Sequence, residues 1–580
     1  MEKAPLDNLR HSCAHLLAAA VVELWPEAKP TLGPPIEDGF YYDFDFSAVK
    51  ISEADLGKIE EKMRALLPGW TRFSHEIVSP DQAREVFAGN VYKQELIDEI
   101  VMKGEPITLY TSGGFTDLCR GGHSEKPSEE LKHFKLLSVA GAYWRGSEKN
   151  KMLTRIYGTC FPTAAELEAH LTMLEEAKKR DHRKLGKELD LFTFSELVGP
   201  GLPLWTPKGT LLRATLDDFV WELRRARGYE RVTIPHITRK ELYETSGHWE
   251  KFSAELFHIT TREGHEFAMK PMNCPHHTQI FDRRSRSYRD MPQRYAETTT
   301  CYRDEQTGEL HGLSRVRAFT QDDAHVFCRR GQVKEEFLKI WDIVDIFYVA
   351  VGFGALKVRL SLHDPEKFEK YLGTPELWQQ AEAAIRDLAR ERGVSFVEAI
   401  GEAAFYGPKV DFIAKDSIGR EWQVATIQLD INQPDRFNLS CINEQGEKER
   451  IVMIHAAIMG SIERFLSIII EHHVGAFPVW LSPVQAQLAP VAERHVAGAN
   501  KLAEEFKATS IRAAVDDANE TVGNKVRKAV AQKIPYIIVV GDKELAGEDL
   551  MIRIRGQEKP EKMGKAAFIE RVRREIEERK

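Results

Sequence analysis

The longest block of the chain, residues 190–475, mixes strand-like runs with long helices but shows no repeating strand–helix–strand rhythm. Two of its strand-like runs are residues 231–235 and 357–362. A parallel sheet needs a crossover connection, usually a helix, between each pair of parallel strands. The pattern therefore favours an antiparallel sheet with packed helices over a doubly wound parallel sheet.

The segment before this block predicts a separate α+β domain. Residues 6–25 have the apolar spacing of a helix, and residues 41–46 alternate as a strand does. Residues 163–189 predict one long charged helix with too few apolar positions for burial. We interpret this helix as a solvated connector; a helix that also touches a polyanion is the alternative.

The last hundred residues predict a small α/β domain, because short apolar runs alternate there with helical stretches. The predicted strands cover residues 484–489, 511–515, 536–540 and 550–554. With 580 residues the chain has room for about three to five domains. We predict three, with the connector helix assigned to the first: residues 1–184, 185–476 and 477–580.

Composition excludes several classes of protein. Lys plus Arg is 81 and Asp plus Glu is 89, which gives a net charge of −8 and argues against a histone-like binder. The hydrophobic fraction of 42% excludes disorder of the whole chain. Seven scattered cysteines do not form a disulfide framework and indicate a reducing compartment. We find no membrane-length apolar run and no secretory signal, so we expect the cytoplasm.

Nucleotide binding, if present, must use neither a P-loop nor a Rossmann turn, because neither glycine pattern occurs. Arginines on a rigid sheet can hold phosphates instead, through bidentate contacts. Alternation predicts that Arg315 and Arg317 lie on one face of a strand, and a helical stretch ending near residue 465 contributes Arg464. Each arginine alone is more often a surface ion-pair partner, so only the pattern carries weight.

This pattern resembles motifs 2 and 3 of the class II aminoacyl-tRNA synthetases. The matching features are Arg303 and Glu305, the run from Arg315 to Phe319, and Gly460 with Arg464. Pro235 is similar to the motif 1 proline of that class, which lies at a dimer interface.

Within the class, the sequence resembles the threonyl-tRNA synthetases from about residue 6 to its end. The strings that carry this resemblance are KPMNCP at 270–275, HGLSRVR at 311–317, FTQDDAH at 319–325, FYGPK at 405–409 and MIH at 453–455. The resemblance implies an antiparallel class II catalytic core with an N-terminal editing domain and a C-terminal α/β anticodon-binding domain.

The resemblance implies a zinc site at Cys274, His325 and His455. These three ligands leave one position open on Zn²⁺. In the family, the amino and hydroxyl groups of threonine complete the coordination. Valine is nearly the same size but has no hydroxyl group, so the metal rejects what an apolar pocket would accept.

The resemblance also implies the other active-site roles. Threonine would be surrounded by Met272, Gln321, Asp323, Tyr406 and Gln428. ATP with Mg²⁺ would be bound by Arg303, Glu305, Arg315, Phe319, Gln423, Thr426 and Arg464. The catalytic residues would be Arg303, Lys409, His248 and Gln428. Asp323 would receive the α-ammonium group, and Arg303 would stabilise the charge on the α-phosphate.

The N-terminal segment carries a second group of metal-type residues. His11 and His15 are spaced to share one helix face, and Cys119 and His123 follow about a hundred residues later. From the residues alone, this is either a zinc site or a metal-free hydrolytic pocket. The family resemblance implies the second, an editing site that also contains Asp117 and Lys93. Serine lacks only one methyl group of threonine, so mischarged seryl-tRNA must be hydrolysed at a second site.

The C-terminal segment resembles the anticodon-binding domain of class IIa synthetases. The resemblance assigns the reading of anticodon bases to Asn519, Glu544 and Arg553. Three nearby basic residues, at 525, 527 and 528, either contact phosphates or form a solvated helix face.

The chain also departs from the family pattern. A β-grasp domain that usually precedes the editing domain is absent from this sequence, and we expect activity to survive without it. His276 replaces a glycine beside Cys274, and Ile431 and Gln433 replace apolar residues near the active-site wall. Lineage drift explains these changes; the alternative is a second, inhibitor-resistant copy of the enzyme.

We therefore predict a homodimeric threonine–tRNA ligase whose partners are threonine tRNA, ATP and threonine, with editing of seryl-tRNA. The rival hypotheses are a tRNA-binding paralogue that no longer charges tRNA, and a stand-alone deacylase. Intact Arg303, Arg464 and zinc-type residues argue against both.

Overall fold

The computed structural model describes residues 3–47, 49–147, 149–547 and 549–580. The chain divides into two compact units, Met1–Glu175 and Glu176–Lys580. The predicted domain boundaries at 184/185 and 476/477 stay predictions.

The first unit contains a five-stranded and a three-stranded antiparallel sheet. Its helices are α1 (Lys3–Leu24), α2 (Leu56–Leu66), α3 (Pro80–Val86), α4 (Val91–Met102), α5 (Pro127–Glu130) and α6 (Ala164–Arg180), the last of which extends past the unit's end. Its strands are β1 (Lys29–Pro30), β2 (Pro35–Ile36), β3 (Gly39–Asp45), β4 (Ser74–Val78), β5 (Ile107–Ser112), β6 (Phe115–Leu118), β7 (His133–Tyr143) and β8 (Met152–Phe161). The larger sheet has the order β1-β3-β8-β7, with β2 on β3. Helix α1 packs its apolar face, including Leu16 and Leu17, into the core.

The second unit is built on an eight-stranded sheet and carries thirteen of the helices. These helices are α7 (His182–Glu188), α8 (Pro207–Arg225), α9 (Lys240–Ser246), α10 (His248–Lys251), α11 (Cys274–Asp282), α12 (Val333–Ala350), α13 (Pro375–Glu391), α14 (Gln433–Arg436), α15 (Ile462–His473), α16 (Val496–Ala508), α17 (Val522–Ala531), α18 (Asp542–Ala546) and α19 (Lys565–Glu577).

The first fifteen strands of the second unit are β9 (Phe192–Thr193), β10 (Leu204–Trp205), β11 (Glu230–Arg231), β12 (Ile237–Arg239), β13 (His258–Thr260), β14 (Glu266–Met269), β15 (Gln293–Tyr302), β16 (Ala318–Cys328), β17 (Lys357–Leu362), β18 (Phe396–Ile400), β19 (Lys409–Lys415), β20 (Glu421–Asp430), β21 (Ser440–Ile442), β22 (Lys448–Arg450) and β23 (Val452–Ser461). The large sheet has the order β11-β15-β16-β23-β20-β19-β17-β18. Only its two outermost pairs are parallel, so the predicted antiparallel sheet is confirmed.

The C-terminal part carries a five-stranded sheet, which includes the four strands that the sequence predicts. Its strands are β24 (Ala486–Pro490), β25 (Ala513–Val515), β26 (Tyr536–Val540), β27 (Asp549–Ile554) and β28 (Glu561–Gly564), in the order β25-β24-β26-β27-β28. The last of these strands was not predicted. The first three are parallel and the last two are antiparallel to their neighbours.

Three local predictions are wrong. The strand expected at 231–235 stops at Arg231. The single helix expected at 163–189 is broken at Asp181, whose side chain accepts a hydrogen bond from Arg183 N and so begins a new helix. The helix that carries Arg464 begins at Ile462 instead of ending there. Helix α6 buries no residue, as expected of a solvated connector, whereas α7 buries His182 and Leu185.

Arg315 and Arg317 do not lie on a strand, which corrects the prediction from alternation. Strand β16 starts at Ala318, one residue after Arg317. Arg315 pairs with His311 in an isolated bridge. Both guanidinium groups instead contact carboxylates of the preceding loop. Arg315 Nε donates to Glu305 Oε2 at 2.7 Å, and Arg317 Nε lies 3.8 Å from Asp304 Oδ1.

Candidate active site

Three residues distant in sequence converge at the centre of the large sheet. His325 on β16 and His455 on β23 are directly opposite each other in the antiparallel register. Cys274 is the first residue of α11. One donor atom from each of these residues lies within 4.8 Å of the others, and all three side chains are buried. The sheet register therefore brings together the set that the resemblance implies.

The hydrogen bonds of the two imidazoles suit a cation between them. His455 Nε2 donates to Asp430 Oδ2 at 2.9 Å, so Nδ1 keeps the lone pair. His325 Nδ1 lies 2.7 Å from His277 Nδ1, which leaves His325 Nε2 facing His455 Nδ1 at 3.1 Å. With the outer nitrogens engaged, two acceptor nitrogens point at one position, as a metal site requires.

The pKa shifts of two of these residues also suit a bound cation. Burial lowers the pKa of His325 far below its usual value, so this imidazole is neutral, which is the form that binds metals. Burial also raises the pKa of the Cys274 thiol, and only a bound cation would make the thiolate the stable form there. The donor set of one sulfur and two nitrogens, with space for a further ligand, fits Zn²⁺.

A cavity of about 410 Å³ opens beside these three residues. Besides them, its lining includes these predicted residues: Met272, Arg303, Gln321, Asp323, Tyr406, Thr426 and Gln428. The side chain of Asp323 is buried and accepts a hydrogen bond from Asn273 Nδ2 at 3.1 Å. The Tyr406 hydroxyl donates to Gln428 Oε1. One wall of the cavity therefore contains the Asp323 carboxylate, which the Asn273 amide holds in place.

The side chain of Arg303 reaches the cavity between two aromatic rings. Its guanidinium carbon lies 5.8 Å from the ring centre of Phe252 and 5.2 Å from that of Phe319. Two predicted nucleotide ligands, Glu305 and Arg315, form an ion pair with each other at 2.7 Å. Each of these two side chains, which the resemblance assigns to ATP binding, is therefore engaged by the other.

The predicted residues Lys409, Gln423 and Thr426 share a buried carboxylate, Asp411. The lysine Nζ lies 3.0 Å from Asp411 Oδ2, and the amide and the hydroxyl each donate to Oδ1 at 2.8 Å. Asp411 therefore holds three candidate ligands at one edge of the site. Arg464 is exposed, and its backbone N–H is capped by Ser461 at the start of α15.

His248 is fully buried, and its Nε2 lies 3.9 Å from Cys274 Sγ. Its Nδ1 lies 2.7 Å from Ser246 Oγ, which already donates its only proton to the Tyr243 carbonyl. His248 Nδ1 therefore carries the proton, and Nε2 presents a lone pair. Burial lowers its pKa to about 3, so the ring is neutral at physiological pH.

The structure shows supporting residues that the sequence reasoning missed. They are Asn273 beside Asp323, His277 beside His325, Asp430 beside His455, and Asp411. All four are adjacent to, or within three residues of, a predicted site residue, and this nearness was the only signal. His276 is not part of the cluster of possible ligands, and neither of its ring nitrogens has a partner among the described residues.

The first unit brings together His11, His15, Cys119 and His123. Cys119 Sγ lies 3.5 Å from His11 Nε2 and 3.3 Å from His123 Nε2. His11 and His15 share helix α1, with their Nε2 atoms 3.3 Å apart. Burial raises the pKa of Cys119 to about 11 and lowers that of His123 to about 2. Both a metal ion and a water molecule fit among these atoms.

The two other predicted editing residues, Lys93 and Asp117, line the same cavity as this group. Lys93 Nζ pairs with Asp117 Oδ1, and both side chains are almost fully buried. The hydroxyl of Tyr42 donates to Asp117 Oδ2 at 2.6 Å. A cavity of about 430 Å³ is lined by His11, His15, Lys93, Asp117 and Cys119.

The predicted anticodon residues lie on one loop, one short helix and one strand. Asn519 follows β25, Glu544 lies in α18 after β26, and Arg553 is exposed on β27 opposite Ile537. Glu544 Oε2 accepts a hydrogen bond from Gly541 N at 3.0 Å. Lys525 fits neither interpretation given above, because it is buried and donates to the Pro490 carbonyl at 3.2 Å.

An antiparallel sheet with an arginine between aromatic rings and a cavity at its centre defines a class II aminoacyl-tRNA synthetase. Residues 257–473 match the family described as tRNA synthetase class II core domain (G, H, P, S and T). Residues 485–575 match an anticodon binding domain, and residues 107–157 match the threonyl and alanyl tRNA synthetase second additional domain.

Comparison with individual proteins shows which family of this class the chain resembles. A threonine–tRNA ligase of Flavobacterium johnsoniae is 50% identical over 550 residues, which are 94% of this chain and 84% of that protein. One from Rubrobacter xylanophilus is 49% identical over 99% of this chain and 89% of its own length. The chain therefore belongs to the threonine–tRNA ligase family.

Two solved structures of threonyl-tRNA synthetases are also similar to this chain. The RNA binding domain of threonyl-tRNA synthetase from Cryptosporidium parvum has a TM-score of 0.65 and 36% identity, over 68% of this chain and 98% of its own. A putative threonyl-tRNA synthetase from Aeropyrum pernix has a TM-score of 0.61 and 30% identity, over 69% of this chain and 97% of its own. Across the part of the chain that the structure describes, no helix is long and apolar enough to cross a membrane.

Proposed function

We propose that this protein is a threonine–tRNA ligase. It activates threonine with ATP to threonyl-adenylate and transfers the threonyl group to the 3′ end of threonine tRNA. The observation that carries this proposal is the convergence of Cys274, His325 and His455 on the cavity that also contains Asp323 and Arg303. Mg²⁺ would accompany the bound ATP and would supply positive charge to its phosphates.

We further propose that the three converging residues hold one Zn²⁺. The bound ion would supply a Lewis-acid position for the amino and hydroxyl groups of threonine. Tyr406 and Gln428 are hydrogen-bonded to each other, so they form a fixed wall with Met272 and Gln321 around the side chain. Asp323, held by Asn273, orients the ammonium group. Valine offers no hydroxyl group, so it is excluded.

In the activation step, a threonine carboxylate oxygen attacks the α-phosphorus of ATP and pyrophosphate leaves. Arg303 is a suitable group to stabilise the charge that develops on the α-phosphate, because aromatic rings hold its guanidinium at the cavity. Arg315 and Arg464 bind the outer phosphates, Phe319 stacks on adenine, and Gln423 with Thr426 contacts the ribose. ATP must open the Arg315–Glu305 ion pair, which frees Glu305 to accept from the adenine amino group.

In the transfer step, a hydroxyl group of the terminal ribose attacks the threonyl carbonyl and AMP leaves. His248 can accept the hydroxyl proton, because Nε2 presents its lone pair beside Cys274. Lys409, held by Asp411, supplies positive charge at the same site during activation.

We propose that the first unit hydrolyses seryl-tRNA without a metal. Cys119 keeps its proton at neutral pH, so the sulfur can donate to a neighbouring imidazole, and His11 and His15 can hold a water molecule. Lys93 and Asp117 fix the floor of the pocket. Asn519, Glu544 and Arg553 are proposed to read the anticodon, in a homodimeric enzyme of the cytoplasm.

The first experiment is ATP–pyrophosphate exchange by the full chain with threonine, serine or valine. We expect exchange with threonine, weaker exchange with serine, and none with valine. Exchange with valine at the threonine rate would contradict selection by zinc. Absence of exchange in zinc-loaded protein would favour a non-charging paralogue, or a deacylase if seryl-tRNA is still hydrolysed.

A second candidate function is an inhibitor-resistant copy of the same enzyme. It is favoured by two buried polar side chains close to the zinc-type residues, since His276 follows Cys274 by two residues on α11 and Gln433 shares Asp430 with His455. Reverting His276→Gly, Ile431→Phe and Gln433→Leu should then restore sensitivity to inhibitors that bind beside the zinc site. Unchanged inhibition constants would exclude this role.

A further inference from the structure

Gln433 is a fully buried amide at the position where the chain departs from an apolar residue. It is the first residue of α14 and follows the strand that ends at Asp430. A buried amide without hydrogen bonds would cost free energy relative to an apolar side chain of similar size. Its contacts therefore show what the polar group does.

The orientation of this amide follows from its neighbour. A carboxylate only accepts hydrogen bonds, so the atom 2.8 Å from Asp430 Oδ2 must be the amide nitrogen, Nε2. The amide oxygen of Gln433 then faces away and has no hydrogen-bond partner among the described residues. The N–H groups, and not the oxygen, are the groups in use.

Asp430 links this amide to His455. Its Oδ1 accepts from the backbone N–H groups of Asn432 and Gln433, both at 2.9 Å. Its Oδ2 accepts from Gln433 Nε2 at 2.8 Å and from His455 Nε2 at 2.9 Å. One carboxylate oxygen is thus shared by the glutamine and the imidazole, so the glutamine fixes the acceptor that orients His455.

The outer partner of an imidazole that binds a metal fixes the tautomer and the orientation of the ring. Gln433 acts on that partner, Asp430, through the hydrogen bond of 2.8 Å from its Nε2.

From these contacts we infer that Gln433 is an outer positioning residue of the zinc site, which holds His455, through Asp430, in the geometry for binding. The inference rests on the proposed zinc site and adds a residue that the family resemblance does not supply. Loss of the amide should weaken zinc binding because Asp430 loses a donor and His455 is less firmly oriented.

The test is Gln433→Met in the full chain, because methionine has a similar length and flexibility but no N–H donor. Zinc affinity is measured by competition with a chromophoric chelator, and the cobalt-substituted protein is examined for its visible ligand-field absorption band, which reports the geometry of all the ligands. We expect zinc to bind about tenfold more weakly, the lower end for loss of an outer-shell partner. We also expect the cobalt band to shift. An affinity within twofold of the wild type and an unshifted band would overturn the inference.

The control is Ile431→Leu, a change two residues away in a side chain that packs against the apolar core. It should leave zinc affinity unchanged; an equal loss there would mean that any disturbance of this loop releases zinc, which also overturns the inference. If Gln433→Met does not fold, Gln433→Leu removes the same donors and carries the same expectation. A wild-type protein that binds no zinc would instead contradict the proposed function.

Discussion

Asn273 shows how one buried amide can control substrate affinity. It donates to Asp323 at 3.1 Å and lies 3.5 Å from Cys301 Sγ, and its side chain is fully buried. It thereby holds the carboxylate proposed to bind the ammonium group of threonine. A hydrogen bond to a charged group contributes about 1.5–3 kcal/mol.

We therefore predict that Asn273→Ala raises the KM for threonine about tenfold and leaves the KM for ATP nearly unchanged. The measurement is pyrophosphate exchange at varied threonine and ATP concentrations. Asn273→Asp is the matched variant: it keeps the size but places a second carboxylate beside Asp323, so its KM for threonine should rise further. Equal increases in both KM values would indicate general damage to the site.

The histidines of the first unit predict a dependence of stability on pH. Burial lowers the pKa of His123 to about 2 and that of His15 well below its usual value. Both rings bind protons near pH 6.5 only when unfolded. Stability should therefore be full above about pH 6.5 and should fall as the pH decreases towards 2, by up to about 1.4 kcal/mol per pH unit for each ring.

Denaturant unfolding of the full chain between pH 7.5 and 5 tests this prediction. His123→Asn is the control, because asparagine does not titrate, and it should reduce the slope. A slope that stays the same in this variant would assign the acid sensitivity to other groups.

At the scale of the element, alternation and apolar spacing predicted a limited set of strands and helices, and the ends of only some of them. Tyr536–Val540 and Lys357–Leu362 were predicted to the residue, since their apolar runs are bounded by polar or turn residues. The arginines at 315 and 317 follow the same alternation, yet ion pairs with loop carboxylates hold them off the strand. Local pattern could not report this, because the carboxylates belong to a loop six or more residues earlier in the chain.

The zinc-type set shows the same limit. No spacing rule connects Cys274 with His325 and His455, because a sheet register brings them together. Family resemblance was needed to find them, whereas their outer partners Asp430 and His277 became visible only in the fold.

Helix α17 carries both a buried and a half-exposed basic residue. Lys525 is buried and bonded to a carbonyl, whereas Lys528 is half exposed and pairs with Asp516 and Glu520. Arg553 is exposed on the neighbouring sheet, where a nucleotide base could reach it.

We predict that Lys525→Met lowers stability by about 1 kcal/mol and leaves the salt dependence of tRNA binding unchanged. Arg553→Ala should weaken binding of threonine tRNA about tenfold or more with little effect on Tm. Thermal unfolding and filter binding at several salt concentrations give both results. The reverse outcome, with Lys525→Met reducing the salt slope, would make this lysine a phosphate contact.

On the scale of the whole molecule, the two groups of metal-type residues belong to different compact units. Cys274, His325 and His455 lie in the second unit, and the cluster around Cys119 lies in the first. Their chemistry is proposed to differ: one holds zinc and selects threonine, and the other holds water and hydrolyses seryl-tRNA. Removal of metal should therefore separate the two activities.

We predict one zinc ion per chain in the purified protein. Treatment with a strong chelator should abolish threonine-dependent exchange and leave the rate of seryl-tRNA hydrolysis within about twofold, because neutral imidazoles and a protonated thiol need no cation. Cys274→Ser should reproduce this result without chelator, and Cys119→Ala should lose hydrolysis while keeping both zinc and exchange. Two zinc ions per chain, with hydrolysis lost on chelation and restored by zinc, would make the first cluster a metal site. In that case the 3.3 Å approach of two histidine nitrogens would be explained by a bound cation.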